Sequence, residues 1–250
     1  MSILSTVILV YAACCAYLFV AQRSFIYFPT AESAAFAADD LRLQVDGATL
    51  QLWRVNGGNR DAIIYFGGNA EDVAQNVPDF STMFAGSTIY LVNYRGYGAS
   101  DGSPSESTLI ADALAVYDHV SETHDRIAVI GRSLGSGIAV QLAASREVSR
   151  LVLITPYDSI LNVARSAYPI FPVSLLLKDR YDSLSFASEI DKPVLLLIAE
   201  HDEFIPFEGS RRLAESMDPA LTTFTVIDGA GHNTIQNFPQ YTQALTGFLQ

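Results

Sequence analysis

Cysteine is almost missing from this chain: among 250 residues only Cys14 and Cys15 occur, side by side inside an apolar run. That placement excludes a structural disulfide framework and a zinc site, and the rest of the chain, with no cysteine, carries no information about redox compartment. Positive charge is also scarce. Fifteen Lys and Arg face 27 Asp and Glu, for a formal net charge of −12. Without a basic face the chain has no grip on a phosphate backbone, so nucleic acid is excluded as a partner. Nor does the sequence offer a polybasic run to anionic lipid, and the acidity reads as a solvated, solubilising surface.

Nucleotide and metal signatures are absent as well. No lysine follows the glycines at 131, 135 and 137, so no P-loop forms. Neither that set nor Gly96, Gly98 and Gly102 has the G-x-G-x-x-G spacing of a dinucleotide fold. No H-E-x-x-H or Cys/His cluster is present, and no metal or other cofactor is expected.

Long hydrophobic runs, by contrast, are abundant. Met1 to Gln22 carries no charged side chain, and "ILSTVILVYAACCAYLFV" from Ile3 to Val20 approaches the ~20 residues that span a bilayer core. A cleaved signal peptide would show basic residues first, a shorter apolar stretch and an A-x-A site, and these are missing within residues 1–24. Residues 1–24 are therefore expected to be a single-pass membrane anchor, with 25–250 as one folded domain. Arg23 alone does not fix the side of the membrane.

After the anchor, short β-branched and aliphatic runs alternate with helical patterns. Strands are expected at 41–45, 50–55, 62–66, 88–93, 126–130, 151–154, 194–199 and 223–227, the first two as a hairpin around Asp46-Gly47. Near-continuous apolar runs are the mark of strands covered on both faces. "SPSESTLIADALAVYDHV" predicts a helix whose capping box uses Ser103, Pro104 and Glu106, with Leu109, Ala113, Val116 and Val120 as its buried stripe. The alternation implies an α/β fold: a mostly parallel sheet of about eight strands flanked by helices.

Chemistry concentrates at Gly131-Arg132-Ser133-Leu134-Gly135, a G-x-S-x-G pentapeptide between an expected strand and an expected helix. A serine in so sharp a turn needs glycine two positions before and after it, and the context is that of a nucleophile elbow. Five residues recur by chance, so the motif needs partners. Of the four histidines, His119 and His124 lie at or beyond a helix end, as solvated residues would. His201 follows an expected strand, and His232 sits in the Gly-rich loop "DGAGH". Asp202 follows the strand at 194–199, at the sheet edge where open α/β sheets build sites, and is the favoured partner for His232. Asp158 in "TPYDS" remains an alternative acid, with an N-cap role as its structural explanation. Oxyanion donors would be the backbone N–H of Leu134 and that of Asn69 or Gly68 in "FGGNAED".

With "YFGGNAED", "NYRGYGASDGSPSE", "GRSLGSG", "RYDSLS", "HDEFIPF" and "GAGHN" on the page, the chain resembles the α/β-hydrolase superfamily from about residue 26 onward. It is closest to the membrane-tethered branch that contains the protein depalmitoylases, whose post-anchor segment "QRSFIYFPT" resembles. That resemblance implies a serine hydrolase with Ser133 as nucleophile, Asp202 as acid, His232 as base and Asn69 at the oxyanion hole. Gly67-Gly68 stands where the branch usually has His-Gly, which preserves backbone donation and removes a histidine side chain.

The expected function is hydrolysis of an acyl ester or thioester through an acyl-enzyme. Its substrate would be a small or lipid-like acyl compound or an acylated protein. A peptidase, or a non-catalytic binding module, is the alternative on the same fold. The aromatic and aliphatic segment from Pro156 to Lys192 sits where hydrolases insert a cap. It reads either as helices packed on the sheet or as the lining of an acyl pocket or membrane contact, and Tyr168-Pro169 and Phe171-Pro172 predict an irregular turn there. Gly137 and Ser136 are expected to let their helix pack close to the sheet.

Overall fold

A computed structural model describes residues 2–35 and 37–249. All eight expected strands form: β1 (Asp39–Val45), β2 (Ala48–Val55), β3 (Asp61–Phe66), β4 (Thr88–Val92), β5 (Arg126–Arg132), β6 (Arg150–Ile154), β7 (Val194–His201) and β8 (Thr222–Gly231). They make one sheet in the order β1-β2-β4-β3-β5-β6-β7-β8. β2 runs antiparallel to β1 and β4, and from β4 to β8 every pairing is parallel. The β1–β2 hairpin turns at Asp46 and Gly47, both with positive φ, as a two-residue loop matched to strand twist requires.

The helices are α1 (Ile3–Ala21), α2 (Arg23–Ile26), α3 (Val77–Met83), α4 (Glu106–Ser121), α5 (Leu134–Ser145), α6 (Ile160–Ala167), α7 (Val173–Leu176), α8 (Leu184–Ala187), α9 (Phe207–Glu215) and α10 (Pro239–Leu249). Side chains alternate across β3 into two cores. Ala62, Ile64 and Phe66 face the core shared with α4 and α5, while Ile63 and Tyr65 face the one shared with α3 and α10. Each fully buried Leu or Ile in these layers contributes about 1.5–3 kcal/mol of transfer free energy, which is why the strands read as unbroken apolar runs.

α4 begins two residues later than the sequence signal suggested. Ser103 and Pro104 remain outside the helix. Ser105 is the N-cap, accepting from Thr108 N, and Thr108 rather than an acid closes the capping box. The string "SPSEST" holds several serines at similar spacing, and the extended conformation of Ser105 (φ −153°, ψ 160°) selects the later one.

α1 is long and apolar enough to cross a membrane, has no charged residue and buries none of its side chains. Its root is tied to the domain. Gln22 donates to the Leu176 carbonyl (3.0 Å) and accepts from Lys178 N (2.6 Å). The Arg23 guanidinium pairs with Asp179 (3.0 Å), and the Tyr27 hydroxyl reaches the same carboxylate at 3.1 Å.

Candidate active site

The parallel strands deliver their carboxyl ends to one edge of the sheet, and Asn69, Ser133, Asp202 and His232 each stand just past such an end, after β3, β5, β7 and β8. Ser133 occupies φ +48°, ψ −114°, a region that costs a residue with a Cβ on the order of 1–3 kcal/mol. The turn is held because Ser133 N donates to the Ile154 carbonyl on β6 (2.8 Å), and because both flanking glycines are required. A Cβ on Gly131 would collide with the Gly135 carbonyl and Ala139, and one on Gly135 would collide with the carbonyls of Phe66 and Gly67. Gly137 has a different neighbour from the one expected. It clears room for the Tyr157 ring, whose hydroxyl donates to Leu134 O (3.0 Å), rather than bringing α5 onto the sheet.

Ser133 Oγ lies 2.9 Å from His232 Nε2, and His232 Nδ1 lies 2.7 Å from Asp202 Oδ2. The carboxylate only accepts, so Nδ1 carries the proton and Nε2 offers its lone pair to the serine hydroxyl. Asp202 Oδ1 is occupied by the N–H groups of Phe204 (2.9 Å) and Ile205 (2.7 Å), which fix the carboxylate plane. Both side chains are buried, and the Phe204 ring stands edge-on to His232 with centroids 5.2 Å apart.

The other titratable residues lie apart from this chain of bonds. Asp158 is buried, but it binds Arg212 (2.6 Å), Asn162 Nδ2 (2.9 Å) and Ser159 N (2.7 Å). The N-cap of α6 is Ser159, not Asp158. His201 and His119 are exposed, and His124 meets the Tyr90 hydroxyl at 2.9 Å.

Asn69 and Leu134 border the cavity that opens over Ser133. Among the described residues their backbone N–H groups have no hydrogen-bond partner, as donors reserved for a ligand would. The Asn69 side chain does something the sequence did not disclose. Its Oδ1 accepts from Phe28 N (2.9 Å) and from the Tyr97 hydroxyl (2.8 Å), and its Nδ2 donates to Ile26 O (2.6 Å). Burial pushes the Tyr97 phenol up to about 12, so it stays a donor at neutral pH.

Two acids missed by sequence reasoning brace the same loops. Glu71 accepts from Tyr65 Oη (2.6 Å) and Asn76 Nδ2 (2.7 Å) on one oxygen. On the other it accepts from Gly68 N (2.6 Å) and Arg132 Nη1 (3.1 Å). Arg132 also reaches the carbonyl of His232 (3.5 Å) and Asn233 Oδ1 (3.3 Å), so a single ion pair touches three site loops. Burial pulls the Arg132 pKa down, but the Glu71 charge and hydrogen bond together with Tyr65 and Tyr241 outweigh it, and the net shift is upward. Glu203 accepts from His232 N (3.1 Å) and fills the space beside Gly231. Neither acid has a motif spacing of its own; the "GGNAE" run was the one available hint.

The cavity measures ≈ 700 Å³, within the usual range for small-molecule sites. The segment from Pro156 to Lys192 forms one wall, through Tyr157, Tyr168, Phe171, Val173, Leu176 and Leu177, with an irregular turn between α6 and α7. α6 and α7 therefore face the pocket, while Ile160 and Val163 of α6 and Ala187 of α8 also pack against the core that the sheet shares.

Comparison with known proteins agrees with this architecture. Residues 55–189 match the model of the alpha/beta hydrolase family. The chain belongs to that family. An uncharacterized protein of Mycobacterium tuberculosis (strain CDC 1551 / Oshkosh) is 34% identical over 247 residues, covering 92% of this hydrolase-family chain and 87% of the relative. The alpha/beta hydrolase domain-containing protein 17C of Xenopus tropicalis is 30% identical over 204 residues, covering 78% of this chain and 64% of its own length. Among solved structures, the esterase Pf2001 of Pyrococcus furiosus superposes with a TM-score of 0.72 at 22% identity, over 90% of this chain and 98% of that one. Est1E of Butyrivibrio proteoclasticus gives 0.69 at 19%, over 84% and 97%. At such identities the structural likeness concerns the hydrolase fold.

Proposed function

We propose that this protein is a membrane-anchored serine hydrolase that cleaves acyl esters or thioesters through an acyl-enzyme. The observation that carries the reading is the unbroken Ser133–His232–Asp202 hydrogen-bond chain at a strained strand–helix turn. Ser133 Oγ adds to the substrate carbonyl carbon while His232 Nε2 takes its proton. The oxyanion that forms is met by the N–H groups of Leu134 and Asn69, the first aided by the N-terminal end of α5. Collapse of the intermediate expels the alkoxide or thiolate, which leaves with the proton from His232. Water then attacks the acyl-serine, His232 again accepts a proton, and the carboxylic acid departs as Ser133 Oγ recovers its hydrogen. Asp202 keeps His232 in the productive tautomer and stabilises the imidazolium in both halves.

An apolar pocket wall beside the nucleophile favours an acyl chain over a charged or peptidic group. α1 supports anchoring by its length, its lack of charge and its exposure. The test is labelling of the full-length protein by a fluorophosphonate probe, followed by turnover of thioester, ester and peptide substrates. Wild type is expected to label, Ser133→Ala not at all, and His232→Ala weakly. Undiminished labelling of Ser133→Ala would sink the assignment.

A further inference from the structure

We propose that the pocket opens into the bilayer itself: the α6–α7 turn inserts beside α1, and the substrate's acyl chain enters from the hydrocarbon phase between them. The inference rests on the reading of α1 as an anchor and of the cavity as an acyl site.

The turn has the composition of a membrane-inserted element. From Ser166 to Leu177 ("SAYPIFPVSLLL") no residue is charged. Ile170 and Leu175 are 72% and 81% exposed, with no protein surface to cover them. α1 supplies the continuity that identifies what covers them. The Tyr11 ring stacks on Phe171 with centroids 5.8 Å apart, and its hydroxyl donates to the Ile170 carbonyl at 2.8 Å. Tyr11 lies ten residues before Ala21, so the turn reaches about 15 Å along α1 from the end of the helix. If α1 sits in lipid, the turn sits there with it.

Irregular backbone survives in hydrocarbon only where its polar groups are satisfied. Here they are. Besides Ile170 O, the Leu176 carbonyl takes the Gln22 amide, the Ser174 carbonyl takes Arg180 Nη2 (2.8 Å), and Pro169 and Pro172 have no N–H to satisfy. Folding also assembles what the linear sequence lacked. Lys178 and Arg180 join Arg23 at the root of α1, a basic girdle at the level of headgroup phosphates, with Lys178 Nζ 4.2 Å from the centre of the Phe19 ring.

The pocket lies directly behind this surface. Leu18 of α1, Gln22 just past its end, Phe25 of α2 and Phe28 form the wall facing Phe171 and Leu176. A chain sliding between α1 and the turn stays in an apolar environment from the bilayer to Ser133.

Two measurements on the full-length protein in phosphatidylcholine vesicles test this. In the first, a nitroxide on Ile170→Cys, in a Cys14→Ser/Cys15→Ser background, is read for collisions with oxygen and with a water-soluble nickel chelate. Hydrocarbon depth is expected, matching a label on Val10→Cys. Nickel accessibility equal to that of a label on Gln44→Cys would overturn the proposal. In the second, Ile170→Asp/Leu175→Asp is assayed on a long-chain acyl thioester dissolved in the vesicles and on a short water-soluble ester. A loss of at least about tenfold on the vesicle substrate alone is expected, because neither residue lines the cavity. Equal rates on both substrates, or equal losses on both, would refute entry from lipid. Should wild type fail to react with fluorophosphonate, the hydrolase reading falls, while the nitroxide depth still decides whether the turn is inserted.

Discussion

Replacing Glu71 by Gln tests whether a brace behind the site sets its geometry. The carboxylate accepts four hydrogen bonds, two on each oxygen, and is 11% exposed. A glutamine oxygen keeps one pair of donors, and its NH₂ is driven against the other pair. With the NH₂ toward Gly68 and Arg132 both of those donors are orphaned; with it toward Tyr65 and Asn76 the Tyr65 hydroxyl can turn to accept and Asn76 loses its partner. At about 1–3 kcal/mol each, the loss is roughly 3 kcal/mol, since Arg132 retains some contact with water. For a chain of this length that is a fall in Tm of about 6–12 °C. The kinetic effect comes through Gly68 N, which Glu71 fixes immediately before Asn69. With the NH₂ turned toward Gly68 that peptide is freed and the proposed oxyanion donor at Asn69 is misplaced, for an expected drop in kcat of about 10²-fold with little change in KM. Scanning fluorimetry and initial rates on a chromogenic ester measure both. A kcat within about threefold of wild type alongside the expected Tm drop would refute control of the oxyanion loop by Glu71. An unchanged Tm would refute the four-bond network itself.

Three other outcomes follow from the same geometry. Asp202→Asn should lower kcat by about 10³–10⁴-fold by disturbing the His232 tautomer, whereas Asp158→Asn should spare kcat and lower stability; a larger kinetic loss at Asp158 would reverse the assignment. Gly135→Ala should lose both soluble yield and probe labelling, because its methyl group meets backbone carbonyls that cannot move aside; full labelling would show that the turn relaxes. Tyr97 has a folded pKa raised from 10.0 to about 12, so its contribution to stability is complete below the unfolded value and fades as pH climbs through the folded one. Tyrosinate absorbance and circular dichroism across that range should show Tyr97→Phe removing a late-titrating phenol; an unaltered titration curve would contradict it.

Much of the fold was legible because its inner strands are buried on both faces, which leaves apolar runs that no amphipathic helix would produce. The Ser–Asp–His order was legible for a related reason: each member sits one or two residues past a strand, and strand ends are readable. What escaped the reading depends on contacts between distant positions. Glu71 and Arg132 are 61 residues apart, and neither is unusual locally. Arg23 and Asp179 are separated by 156, so the clasp at the root of the anchor has no local signal. The Ser105 cap was missed for the opposite reason, since neighbouring serines offered near-equivalent starts.

The side chain of Asn69 links two things usually treated as separable, where an enzyme resides and whether it works. Its amide bonds Ile26 and Phe28, residues that lie between the apolar helix and the first strand, as well as Tyr97. Trimming the chain to Thr30 to obtain a soluble form would therefore remove partners of the very loop that carries the proposed oxyanion donor. A soluble form made that way would be slow for a reason unrelated to substrate access, and its rates would understate the intact protein. The segment after the apolar helix is thus also a cofactor-like part of the fold, supplied in cis and lost with any truncation that removes it.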